Sequence, residues 1–124
     1  RLGLESRYYF HEIPNLEEMA MLMDEFGESV GYWHDVGHAE NLQRLGFTPH
    51  RDWLEALGSR IIGVHLHDII SLSDHKAPGK GDLDFAAVAR YLPSTAILVC
   101  ELASSNSEEE VRAGLAVLRQ VGVI

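Results

Sequence analysis

Ile61-Ile62-Gly63-Val64-His65-Leu66-His67 is the stretch on which the reading of the fold turns. It is short and largely aliphatic, and it is bounded by Gly58 and Asp68, which predicts a buried strand rather than a helix. Strand side chains alternate between faces, so Ile62, Val64 and Leu66 are expected to oppose Ile61, Gly63 and His65. Three other runs divide in the same way. In Leu2–Glu5, Leu2 and Leu4 oppose Gly3 and Glu5. In Val30–Asp35, Val30, Tyr32 and His34 oppose Gly31, Trp33 and Asp35. In Ile97–Leu102, Leu98, Cys100 and Leu102 oppose Ile97, Val99 and Glu101. One face is mostly aliphatic and suited to lie under helices. The other carries an ionisable group near the C-terminal end of every run: Glu5, Asp35, His65 and Glu101.

Helical patterns follow the runs. Leu16, Met19, Met23 and Phe26 recur at helical spacing over Leu16–Phe26, with Asn15 and Glu18 forming a capping box. Thr48-Pro49 reads as a cap followed by proline at the first helical position, ahead of Trp53, Leu54 and Leu57, with Gly58 as the stop. Asp84 caps a helix bearing Phe85, Val88, Ala89 and Leu92. Ser107 and Glu110 box the last helix, whose inner face is Val111, Leu115 and Leu118 and whose stop is Gly122. Alternating strands and helices predict an α/β fold with parallel strands and outer helices. Four such units make half of a (β/α)₈ barrel or a small open sheet. The convergence of four ionisable groups on one rim favours the half-barrel, because barrel enzymes keep their active sites at the C-terminal ends of the strands.

Composition bounds the function. The 124 residues are 46% hydrophobic, enough for a packed core, and contain no run near the roughly 20 apolar residues of a membrane helix. Net charge is −9, which repels phosphate backbones and argues against nucleic acid as a partner. A single cysteine, Cys100, excludes an intrachain disulfide framework and fits a cytoplasmic setting. The opening on Arg1 suggests a fragment or trimmed chain.

Glu5, Asp35, His65 and Glu101 form an oxygen-rich first shell with one nitrogen, suited to one divalent ion: Mn²⁺, Mg²⁺, Co²⁺ or Zn²⁺. Such a set leans away from structural zinc, which prefers sulfur and nitrogen. His38 and His67 add imidazoles beside it and, with Arg7 and Lys80, are candidate contacts for substrate. Asp68 reads as an orienting or loop-capping residue and His75 as loop material. His11, His34 and His50 read as packing, and Glu108–Glu110 as the acidic start of a helix.

Several motifs together carry a resemblance: Leu2-Gly3-Leu4-Glu5-Ser6-Arg7, Asp35-Val36-Gly37-His38, His65-Leu66-His67-Asp68, Pro78-Gly79-Lys80-Gly81-Asp82-Leu83-Asp84-Phe85 and Val99-Cys100-Glu101. In order and spacing the chain resembles the C-terminal half of the xylose-isomerase-like barrel superfamily, which includes sugar-phosphate isomerases and epimerases and the endonuclease IV (AP endonuclease family 2) branch. The resemblance implies that residues 1–124 stand for the last four strands of a (β/α)₈ barrel. It also implies metal ligation by Glu5, Asp35, His65 and Glu101, with His38 at substrate or metal. The family's HxxD pattern selects His65 over His67 as the ligand. Ser71 stands where the epimerases carry an arginine, and Ser73-Asp74-His75 lacks the aspartate of the endonuclease Asp-x-His pair.

The activity implied is isomerisation or epimerisation of a small sugar, polyol or related hydroxy-carbonyl compound. Glu5 and Glu101 move the proton through an enediolate. The alternatives are a metal-dependent hydrolase or endonuclease-IV-like phosphodiesterase on the same barrel, and a non-catalytic metal- or sugar-binding fragment. Four strands leave two sheet edges uncovered, so a homodimer or higher assembly is expected.

Overall fold

The structure, a computed structural model, describes residues 1–9 and 11–124. Its elements are β1 (Leu2–Glu5), α1 (Leu16–Phe26), β2 (Val30–Asp35), α2 (Val36–Arg44), α3 (His50–Leu57), β3 (Ile61–Leu66), β4 (Asp68–Ile70), β5 (Ser73–Lys76), α4 (Phe85–Ala89), β6 (Ile97–Cys100) and α5 (Glu108–Gln120). The main sheet runs β1-β2-β3-β6, parallel throughout, and β4 and β5 form a separate antiparallel pair. Strand order follows chain order without the reversal that marks a doubly wound sheet. The α/β half-barrel architecture expected from the sequence is therefore present.

The core lies on one side of the sheet. Tyr32, Val64 and Leu66 pack there with Met19 and Met23 of α1, Trp53 and Leu57 of α3, Val88 of α4 and Leu118 of α5, all essentially buried. Trp53 stacks on Tyr32 with ring centroids 6.0 Å apart. Complete burial of side chains of this size contributes about 1.5–3 kcal/mol apiece. The opposite face stays open towards its β6 end, where Ile97 is 60% exposed. The caps of α1 and α5 form as expected: Asn15 and Ser107 accept the backbone N–H groups of Glu18 and Glu110, whose carboxylates return the bond.

The structure corrects several local expectations. The register slips between Tyr32 and Trp33, a bulge that sends Ile61 into the core and turns Ile62 onto the Gly31 face, away from Val64 and Leu66. Crowding explains why glycines line that face: a Cβ at Gly63 would come within 2.3 Å of the Trp33 ring. The β2–β3 connection holds two helices rather than one. The additional helix, α2, starts directly at Asp35, whose side chain caps it by accepting the His38 N–H. Pro49, not Thr48, occupies the cap position of α3 and has no side-chain bond to give; the Gln43 side chain takes the His50 N–H instead. The third and fourth strands end at Leu66 and Cys100, earlier than expected, and α4 stops at Ala89, short of Leu92. Asp68–Gly81, expected as loop, contains the β4–β5 hairpin.

Candidate metal centre

Parallel pairing brings the C-terminal ends of the strands together, with Glu5 opposite Trp33, Asp35 opposite His65 and His65 opposite Val99. Glu5, Asp35, His65 and Glu101 consequently offer ligand atoms that all lie within 4.8 Å of one another. His65 is the hub. Its Nδ1 is 3.0 Å from Glu101 Oε2, 3.1 Å from Glu5 Oε1 and 3.4 Å from Asp35 Oδ2. Three carboxylates around one imidazole make the site strongly negative. The hydrogen bond to Asp35, then the charges of Glu101 and Glu5, push the His65 pKa up to about 9 against the effect of burial. The donor set, three carboxylates and one imidazole, fits a divalent ion of the oxygen-preferring class.

Asp35 is the buried anchor of the cluster. Burial by itself raises its pKa, but hydrogen bonds from His65 and His67 outweigh that and hold the carboxyl well below the usual range. His67 is fully buried and both its ring nitrogens are taken. Nδ1 accepts the backbone N–H of His75 at 3.0 Å, so Nε2 carries the hydrogen and donates to Asp35 at 3.1 Å. His67 therefore orients a carboxylate and does not face substrate, which corrects the sequence expectation. His67, His75 and Glu101 also fall within 4.8 Å of one another, but the occupied nitrogens of His67 remove it as a ligand there.

His38 does join the cluster. Its Nδ1 donates to the Ser6 carbonyl at 2.8 Å and lies 3.6 Å from Glu5 Oε1 and 3.7 Å from Asp35 Oδ1. Ser6 ties the first two strands together, since its completely buried hydroxyl also accepts the Asp35 N–H at 3.3 Å. Gly37 lets α2 approach this layer; a Cβ there would meet the His67 ring at 2.1 Å. Trp33 forms the floor, its ring 5.3 Å from that of His65.

Arg7 and Lys80, expected at substrate, are not brought to the cluster. Arg7 pairs with Glu12 at 3.2 Å in the β1–α1 loop, and Lys80 pairs with Glu110 on α5. The glycine loop that carries Lys80 is held from behind by Asp68, which accepts the N–H groups of Gly79, Gly81 and Leu83. This is the loop-capping role read for Asp68. Two residues at the rim had no strong sequence signal. Tyr8 donates to the Leu72 carbonyl at 2.9 Å and presents its ring edge-on to His38, and His75 arrives on the hairpin with φ 57°.

The family described as xylose isomerase-like TIM barrel matches residues 1–121 of the chain. Among curated proteins none matches. Among the described residues no helix is long and apolar enough to cross a membrane.

Proposed function

The chain belongs to the xylose isomerase-like TIM barrel family, and from that premise we propose that it carries the metal-binding half of a sugar isomerase or epimerase site. The observation that carries the proposal is the meeting of Glu5, Asp35, His65 and Glu101, residues from four different βα units, around one point at the strand ends. These four residues would hold the ion. A divalent cation supplies Lewis-acid polarisation to the hydroxyl and carbonyl oxygens of a bound sugar.

The remaining chemistry belongs to side chains. Glu5 ends one outer strand of the sheet, Glu101 directly follows the other, and both are partly exposed, at 29% and 43%, so both can reach a ligand above His65. One carboxylate takes a proton from the carbon beside the carbonyl, and the other returns it at the neighbouring carbon or on the opposite face. Asp35 is buried and doubly bonded by imidazoles, which suits it to hold the ion and not to move protons. His38, fixed through Nδ1 by Ser6, keeps Nε2 for a substrate oxygen.

The test uses protein loaded with Mg²⁺ and a panel of aldoses and ketoses in deuterated water, with deuterium gain at carbon read by mass spectrometry. The expected result is incorporation beside the carbonyl, lost in Glu101→Gln with the fold retained. Absence of exchange with every sugar of the panel would count against the isomerase reading. Unchanged exchange in Glu101→Gln would remove the proton-transfer assignment.

The proposal extends to assembly. Leu2 on one edge strand and Ile97 on the other are 63% and 60% exposed, and closing a barrel of this kind takes eight strands. A second copy pairing β6 with β1 across both edges supplies four. Sedimentation is expected to give a dimer, and a stable monomer would count against closure by self-association.

A further inference from the structure

The helices at the two open edges of the sheet carry flanks of opposite charge. On α1, Met19 and Met23 are buried against the core, and Leu16 turns towards α3, where it lines a cleft with Asp52 and Trp53. The flank away from α3 reads Glu18, Leu22 and Glu25, spaced by four residues and then three. Ile13, Pro14 and Met21 join Glu18 and Leu22 around an apolar groove on this side. Ile13 is 77% exposed, Met21 70% and Leu2 on edge strand β1 63%, the three highest values among the exposed large apolar side chains. Gathered at one side of a small protein, such side chains mark a surface that takes a partner.

At the other edge stands α5. Its Glu110, Gly114 and Val117 lie towards the glycine loop, where Glu110 pairs with Lys80 and the other two pack on Pro78 and Gly79. The opposite flank reads Arg112, Leu115 and Arg119, spaced by three residues and then four. Arg112 reaches back one turn to Glu108 at 2.6 Å, and Arg119 is exposed with no ion pair among the described residues.

The two flanks match. Each spans seven residues, and both helices run from the rim towards the far end of the sheet. Laid side by side, Glu18 comes level with Arg112, Leu22 with Leu115 and Glu25 with Arg119. Helix α1 has no lysine or arginine, and Glu25 lies in its last turn, the negative end of the helix dipole, where a cation stabilises and a carboxylate does not. Arg60 does reach that end, but it is spent on the Met23 and Gly27 carbonyls. The flanks cannot meet within one chain, because they border opposite edges of the four-stranded sheet.

We propose that these flanks form one seam between two copies of the chain, with Glu18, Leu22 and Glu25 of one copy lying along Arg112, Leu115 and Arg119 of the other. The contact is head to tail, so each copy offers one flank of each kind and two half-barrels close through two identical seams. The inference rests on the assembly reading given above and adds what selects the partner: an open strand edge pairs with any other, whereas a charged helix seam fixes partner and register.

The test reverses one charge at a time. Glu25→Arg or Arg119→Glu sets like charges together in both seams of a homodimer. Both positions are exposed, so the fold is kept, with circular dichroism as the check. Sedimentation equilibrium is expected to give about tenfold weaker dimerisation for each variant than for the parent. An equimolar mixture of the two variants should recover the parent value. In the mixed pair, one seam joins the introduced arginine to the introduced glutamate, and the other keeps Glu25 with Arg119. The double variant, with both charges exchanged in one chain, should also dimerise like the parent. Parent-like dimers of either single variant, a mixture no tighter than its components, or a double variant as weak as the singles overturns the seam. With a dimeric parent, each of those results leaves the pairing of strand edges standing. A monomeric parent removes the assembly reading and the seam together.

Discussion

Strand β2 places two polar regions back to back. Asp35 faces the rim cluster, and His34, one residue earlier, faces the helices. Behind the sheet, Tyr32 Oη and His34 Nδ1 are 2.8 Å apart, His34 Nε2 and His50 Nε2 3.0 Å, and His50 Nδ1 and Glu40 Oε2 3.2 Å. With Nδ1–H of His50 donated to Glu40, every partner follows without any imidazole being charged: His34 Nε2–H donates to His50, and the Tyr32 hydroxyl donates to His34. These bonds leave no ring nitrogen of His34 or His50 without a partner. The rim cluster has the opposite character, with surplus carboxylates drawn around one imidazole and half of its members open to solvent. Both regions are rich in histidine. What separates a site from a structural network is whether its donors and acceptors balance without a guest.

The sharpest way to break this comparison is to alter one residue on each side. Asp35→Asn keeps the size of the side chain and the acceptor that caps α2 while removing the charge. Mn²⁺ affinity should fall by about 100-fold or more, because both the ligand and the acceptor for His67 are weakened. On the other side, His34→Ala leaves the Tyr32 hydroxyl and His50 without their partner and opens a cavity in the core. Denaturant unfolding should show a loss of about 3 kcal/mol, with Mn²⁺ affinity unchanged. If His34→Ala weakened Mn²⁺ as far as Asp35→Asn does, the two regions would be one system.

A subtler separation is by pH. His65 is raised to about 9, so without metal its contribution to stability is complete below the ordinary histidine value of 6.5 and is lost as pH rises through about 9. His34 is the reverse. Burial, then repulsion from His50, keeps it neutral well below 6.5, so its contribution is present above 6.5 and is lost as pH falls. Melting temperature in the presence of a chelator should therefore decline on both sides of neutrality, and His65→Gln should abolish only the alkaline decline. Since proton and cation compete for His65, Mn²⁺ affinity should climb about tenfold per pH unit up to about 9 and then level. A pH-independent affinity would remove His65 from the ligand set.

Much of this arrangement was legible in the chain itself. The capping boxes at Asn15 and Ser107 are local, and they form where read. Alternation placed Glu5, Asp35, His65 and Glu101 on one face, and parallel pairing brings them together. What was missed depended on distant partners. The slip that turns Ile62 over is set by its packing against Gly31 on the neighbouring strand. His67 shares the period of His65, but the strand ends between them and its ring is spent on Asp35 and the hairpin. His75 adopts a left-handed backbone with no glycine to mark the turn. The Tyr32–His34–His50–Glu40 chain needed α2, a helix the sequence did not announce, whose Glu40 reaches His50 only once α2 and α3 are packed.

Lys80 tests the comparison at its weakest point, since a lone cation in a glycine loop next to an acidic centre is easily assigned to substrate. In this fold its ammonium group is bonded to Glu110, near the start of the last helix, and Asp68 holds the loop in that orientation by three backbone hydrogen bonds. The ion pair is on the surface, where such pairs add little. Lys80→Ala should therefore leave the melting temperature, Mn²⁺ affinity and deuterium exchange into sugars where they were, while Asp68→Ala, which frees the whole loop, should lower the melting temperature clearly. A tenfold loss of deuterium exchange in Lys80→Ala would mean that the loop swings inward over an occupied site, and that the rim balances its charge with a residue of its own.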